Sequence, residues 1–416
     1  MSGRILRRYS QRSNTAHAER KPRAHAVSKS RAFAVYGPRA FAANALDGGV
    51  IASYSILVGI GLVMIYSLTA PLAASSTIPP QFIRQLVSLA TGLLVLIAAL
   101  RVPLAVWRRL ALPLWGISSI LLLATLVVGI EVNGARRWLE LPGLRLQAAE
   151  IAKFATVLAA AVLLTAPLSR RKRLKPVICA AALCVPPVAL LLQQPDFGSS
   201  LVLCAAVGVL LFAAGTPMRS LIAPTALAIG GTAIYVALKP YAHVRWIGFL
   251  DPWATSTREG FQLVQSFVAF GRGGLFGVGF GGGRQKLYFL PEVHTDFILA
   301  GIAEELGLVG VLVVLGAFTA FAWAGGRIAR RAHEPFAALV AIGMTSLIGI
   351  PAAINAAVVM GLLPTTGFTL PFVSYGGNSL LICSLAVGIL LRIGACEAAP
   401  TPTRISGASR RRIGRT

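Results

Sequence analysis

The chain has 416 residues, of which 56% are hydrophobic and only 13% charged. That composition excludes an ordinary soluble domain. A formal charge of +25 would suit a nucleic-acid partner, but the basic residues sort with the predicted topology along the chain, so no nucleic acid is expected.

Apolar blocks of about 18 residues or more read as membrane-spanning helices. They fall near 50–71, 82–100, 110–131, 148–166, 176–193, 198–215, 218–237, 297–324, 337–360 and 376–396. The expected fold is an all-α integral membrane protein of about ten transmembrane helices, with a long periplasmic loop, 238–296, between helices seven and eight. Residues 1–48 are basic and polar, with Arg4, Arg7, Arg8, Arg20, Lys21 and Arg23, and read as a disordered tail. A basic tail, 398–416, closes the chain after the helical domain at 49–397. With an even number of spans both termini share one side. Arg170, Arg171, Lys172, Arg173 and Lys175, then Arg327, Arg330 and Arg331, then Arg410, Arg411 and Arg412 fall on that same side. By the positive-inside tendency it is cytoplasmic. The acids Glu140, Glu150, Asp196, Asp251, Glu259, Glu292 and Asp296 fall in or near the opposite loops. The five cysteines lie in or beside spans without metal-ligand spacing, and no disulfide framework is expected.

Taken in order, the loop after the third span reads Asn133-Gly134-Ala135-Arg136-Arg137-Trp138. Asn-Gly makes a tight turn. Arginine on this face can grip phosphate oxygens. Trp138 can stack on a sugar or merely anchor in the headgroup belt. Glu150 and Lys153 are three apart on one helix face. Each is costly in the membrane, so a mutual ion pair is expected. That pair is either a brace between helices or a cavity wall for an anionic ligand. Gln194-Pro195-Asp196-Phe197-Gly198 brackets a turn, and Asp196 reads either as a site carboxylate or as a helix cap.

The long 238–296 segment is rich in aromatics, and Phe261–Phe270 has the spacing of an interfacial helix. Glycines crowd 271–283 and allow backbone to approach a diphosphate closely. Lys286, Glu292, His294 and Asp296 then cluster where the eighth span begins. Thr295 or Asp296 alone would read as a cap, but four ionisable groups at a membrane lip point to a site. The ninth span carries Pro351 and Asn355, which predict a kink or an opening. The last loop, 361–379, holds two prolines, four glycines, Ser374 and Asn378. Irregular backbone of this kind must line protein or a wet cavity.

The stretch Gln285-Lys286-Leu287-Tyr288-Phe289-Leu290-Pro291-Glu292-Val293-His294-Thr295-Asp296, followed by Glu304-Glu305-Leu306-Gly307, resembles the SEDS family (shape, elongation, division and sporulation). So do the Arg137-Trp138 and Gln194-Pro195-Asp196 motifs and Leu370-Pro371-Phe372-Val373-Ser374-Tyr375-Gly376-Gly377. The match covers about 50–395 and is more similar to the FtsW division branch than to the RodA elongation branch. Ala148-Ala149 and Asn378 depart from the family pattern. The resemblance implies a peptidoglycan glycosyltransferase that polymerises lipid II (undecaprenyl-pyrophosphate disaccharide-peptide) at the bacterial inner membrane, at the division septum. It implies a class B penicillin-binding protein and other divisome membrane proteins as partners. It places the catalytic base on Asp296. Lys286, Arg137, Lys153 and Arg245 become candidate cations for the leaving diphosphate. Glu150, Glu292, His294, Trp138 and Ser374 complete the expected substrate site. A divalent cation, Mg or Mn, shared with the diphosphate is a possible cofactor, and no protein-held metal is expected. A lipid II flippase and a non-catalytic division scaffold are the rival classes.

Overall fold

The computed structural model describes residues 46–72, 78–132, 135–141, 144–166, 174–222, 226, 230–232, 237, 240–291 and 293–398. Nearly all of both expected tails, Asn133 and Gly134, the basic residues Arg170, Arg171, Lys172 and Arg173, much of the seventh expected span, and Glu292 lie outside them.

The described chain is mostly helical. α1 (Gly48–Thr69) starts at Asp47, whose carboxylate accepts from the Gly49 and Val50 amides. α2 (Pro80–Arg101) opens with proline at its first position, where no amide partner is needed. α3 is Leu104–Val128. Next comes a three-stranded antiparallel sheet: β1 (Ile130–Val132), β2 (Ala135–Leu141) and β3 (Leu144–Leu146). α4 is Ala148–Leu164, α5 Leu174–Ala182, α6 Val185–Gln193 and α7 Phe197–Ala213. α8 (Pro240–Leu250) and α9 (Phe261–Gly273) lie in the long predicted loop, and a π-turn spans Gln285–Phe289. α10 (Ile298–Arg331), α11 (Pro335–Val359) and α12 (Gly377–Ala398) complete the chain.

Six of these helices, α1, α2, α3, α10, α11 and α12, are long and apolar enough to cross a membrane. Two shorter apolar helical stretches cover 177–193 and 197–213. The buried apolar residues of α1, α4, α7, α10, α11 and α12 form one core. Many exposed large residues on α2 and α3 are aliphatic, such as Leu94, Ile120 and Val127. That is the surface expected of helices that meet lipid.

The structure corrects the expected elements in three places. The all-α reading gives way to a mostly helical one, because 130–146 pairs as strands. The expected span at 176–193 is helical with an interruption between Ala182 and Val185, which divides it into α5 and α6. Arg327, Arg330 and Arg331 sit in the last turns of α10, and Arg327 approaches Asp47 at 3.6 Å.

Candidate active site

α10 is broken near its start. Gly307 has φ 68° and ψ −166°, so the helical ladder is interrupted there. A break at membrane depth leaves carbonyls and amides that must find partners within the protein. The glycine-rich run supplies all four. The Val278 and Gly279 amides donate to the Glu304 and Glu305 carbonyls. The Leu308 and Val309 amides donate to the Gly274 and Leu275 carbonyls. Side chains have no room in this contact: a Cβ at Gly277 would strike the Glu305 carbonyl. The run expected to cradle a diphosphate is therefore packed against a helix break.

Two buried carboxylates hold it there. Glu304 is 1% exposed and accepts from Arg272 at 3.0 Å and from the Arg284 and Gln285 amides. Glu305 is fully buried and accepts from Lys286 at 2.7 Å, Ser67 at 2.6 Å and the Gly281 amide at 3.2 Å. Lys286, expected beside a leaving group, thus has its ammonium on Glu305 and Ser67.

Asp296 lies just before α10. The cap position of α10 is Phe297, with no side-chain cap bond of its own. The last loop closes over this stretch. The Asn355 amide nitrogen donates to the Asp296 carbonyl at 2.7 Å and the Phe368 carbonyl at 2.6 Å. Ser374 Oγ donates to the Thr295 carbonyl at 2.6 Å and accepts from the Leu370 amide. The Tyr375 amide donates to the His294 carbonyl, and the two rings lie 5.8 Å apart. Gly367, at φ 74°, lies beside the carboxylate, and an added Cβ would be in van der Waals contact with Asp296 Oδ2 at 3.4 Å. Arg245 donates to the Thr365 carbonyl at 2.9 Å, which brings a guanidinium to the same loop. Phe372 is held at φ 67°, a conformation costly outside glycine. It is buried edge-on against Tyr54.

The sheet meets the end of this loop where Asn378 donates to the Arg145 carbonyl at 2.7 Å. β2 carries a bulge against β1: Glu131 lies opposite Arg136 and Ile130 opposite Trp138, which leaves Arg137 as the extra, unpaired residue between them. Arg136 meets Glu131 at 3.6 Å in an exposed pair. Arg137 donates to the backbone carbonyls of Gln194 and Pro195. Asp196 then caps α7 through the Ser199 amide at 3.1 Å and the Ser199 hydroxyl at 2.7 Å. Gly198 in that first turn receives the Phe368 ring. Lys153 and Glu150 form the expected ion pair at 2.7 Å, with both side chains largely buried. They border a small cavity with Leu347, Ile348 and Cys383.

The structure thus gathers Asp296, His294, Ser374 and Arg245 on the last loop. Arg137 joins them through the 194–196 turn and Phe368. Lys286 stands apart, beside α1. Trp138 is half-buried opposite Ile130, next to the bulged Arg137. Three groups that hold the site were not singled out as such from sequence: Asn355, Glu304 and Glu305. The adjacent glutamates inside a predicted span were the available signal, since burying them demands partners. Among the described residues, no three His, Cys, Asp or Glu side chains come together as a metal cage.

The cell cycle protein family model that covers FtsW, RodA and SpoVE matches residues 49–398. A probable peptidoglycan glycosyltransferase FtsW of Saccharophagus degradans is 40% identical over 364 residues, 84% of this chain and 92% of its own. One of the same description from Alkalilimnicola ehrlichii is 43% identical over 350 residues, 81% and 86% of the two chains. A chain from a solved peptidoglycan synthase complex, described for coordinating polymerization and crosslinking, superposes with a TM-score of 0.70 at 32% identity, covering 84% of this chain and 98% of that one. The crystal structure of the Thermus thermophilus rod shape determining protein RodA gives 0.63 at 31% identity, covering 84% and 97%.

Proposed function

The chain belongs to the FtsW/RodA/SpoVE family of cell cycle proteins, and we propose that it is a multi-pass membrane peptidoglycan glycosyltransferase that polymerises lipid II, with Asp296 as its base. One observation carries the assignment of the site. The last loop is clamped onto the backbone of residues 294–296, and a glycine, not a side chain, faces the Asp296 carboxylate. That fixes the backbone at Asp296 and sets Gly367 beside its carboxylate.

In this reading Asp296 takes the proton of the acceptor's GlcNAc 4-hydroxyl. The oxygen attacks C1 of the donor's MurNAc, the C1–diphosphate bond breaks, and the anomeric centre inverts from α to β. Base catalysis of this kind contributes about 10²–10⁴-fold. Undecaprenyl diphosphate leaves with the bond's electrons. Arg245, tied to Thr365, supplies positive charge on the loop that faces Asp296. Arg137, Glu150 and Lys153 form the adjoining wall, and Trp138, His294, Ser374 and Glu292 complete the contacts assigned to substrate. The ten-span topology with cytoplasmic termini, the septal location and a class B penicillin-binding partner belong to the same proposal. The partner is supported by the similarity to a synthase-complex chain.

Purified protein incubated with lipid II, alone and with a class B penicillin-binding protein, tests the reading. Glycan polymer in either mixture is the expected result. Translocation of lipid II across vesicles without polymer would favour a transporter instead.

A further inference from the structure

Lys286 is more useful where it stands than where sequence alone would put it. The Lys286–Glu305 pair is almost wholly buried, at 5% and 0% exposure. Glu305 ties three elements together: α1 through Ser67, the glycine-rich run through the Gly281 amide, and the π-turn through Lys286. Lys286 adds its own contact to Ser67 at 3.3 Å. Glu304 beside it holds Arg272 and the amides of Arg284 and Gln285. The chain leaves α9, packs against the α10 break, turns at 285–289 and returns through Asp296 into α10. Its outward arm is fastened by backbone bonds, the turn by Lys286, and the end of the return arm by Asn355, Ser374 and Tyr375.

We propose that Lys286 and Glu305 are positioning residues: their ion pair sets the placement of Asp296, and Lys286 does not touch the substrate. The proposal rests on the polymerase reading for its consequence, though not for its geometry. A direct contact is the competing account. A cavity of about 470 Å³ borders Lys286 and Ser67, with Val63, Tyr66, Phe280 and Leu287 as apolar walls.

The test compares Lys286→Met, Glu305→Gln and the double variant in the full chain. Each single leaves one buried partner unmatched, whereas the double removes both charges. Hydrogen exchange over 281–296 is expected to quicken by about tenfold in each single and to return toward wild type in the double. With lipid II, each single is expected to lose about tenfold in kcat with KM nearly unchanged, and the double to recover most of it. Unaltered exchange in the singles would overturn the pin. A double variant that stays as impaired as Lys286→Met, with KM raised about tenfold, would overturn it in favour of substrate contact. If wild-type protein makes no polymer even with its penicillin-binding partner, the functional reading fails while the exchange data still decide the pin.

Discussion

Asn355, near the C-terminal end of α11, donates one amide nitrogen to two carbonyls, those of Asp296 and Phe368. Its two hydrogens match the two acceptors. Its oxygen has no protein partner, and flipping the amide would set that oxygen against both carbonyls. Asn355 is thus the joint between the carboxylate's backbone and the loop that faces it. Asn355→Asp replaces the donor with an acceptor. The expected outcome is a loss of about 1–3 kcal/mol in stability and a larger fall in kcat than in lipid II binding. Thermal unfolding in detergent and steady-state polymerisation check it. Asn355→Ala is expected to be milder in stability, since no charge is buried.

Gly367 stands beside the Asp296 carboxylate. Alanine there is strained by the positive φ and also approaches Asp296 Oδ2. Gly215 has a similar φ of 77° with nothing within 4 Å of an added Cβ. Both Gly→Ala variants are expected to lose about 1 kcal/mol from backbone strain. Only Gly367→Ala is expected to lose polymerisation. Equal activity in the two would show that the space beside Asp296 is not used.

Arg137 acts through a turn. Its guanidinium reaches two successive carbonyls, at Gln194 and Pro195, while Gln194 itself donates to the Leu122 carbonyl at 2.8 Å. Lysine keeps the charge but lacks the planar fork. Arg137→Lys is therefore expected to lower stability by about 0.5–1.5 kcal/mol and to reduce kcat through the Phe368–Gly198 contact. Retained stability with a raised KM would mean that the charge itself meets the diphosphate.

The α10 break depends on a glycine in the facing run. Gly277→Ala sets a Cβ against the Glu305 carbonyl in a backbone conformation unfavourable to L-residues. The four backbone bonds across the break would have to yield together. Loss of the folded protein, seen as a sharply lower unfolding midpoint or poor membrane insertion, is the expected outcome. Gly271→Ala, where an added Cβ meets nothing within 4 Å, serves as the tolerant control.

Local features were legible in the sequence. The Glu150–Lys153 pair needs only helical spacing, and the α9 helix only its apolar repeat. Asp196 was readable as either cap or site carboxylate, and the structure shows the cap. The strands at 130–146 were missed because β1 and β3 are three residues long, too short to display a period of two. Asn133-Gly134, which follows β1 in the sequence and lies outside the described residues, was the hairpin signal. The α10 break was hidden because Gly307 sits in an apolar run that reads as one continuous span. The Lys286–Glu305 pair was hidden because the two residues lie 19 apart in the sequence, on either side of Asp296. Asn355 read as a helix disturbance, since its acceptors lie on two other segments.

The most direct test is the turnover of Asp296→Asn, which keeps the size of the side chain and removes its basicity. Purified variant with a wild-type unfolding midpoint and unchanged lipid II binding is expected to polymerise about 10²–10⁴-fold more slowly than the parent protein. A well-folded Asp296→Asn protein that makes glycan at a rate close to that of the parent would contradict the account.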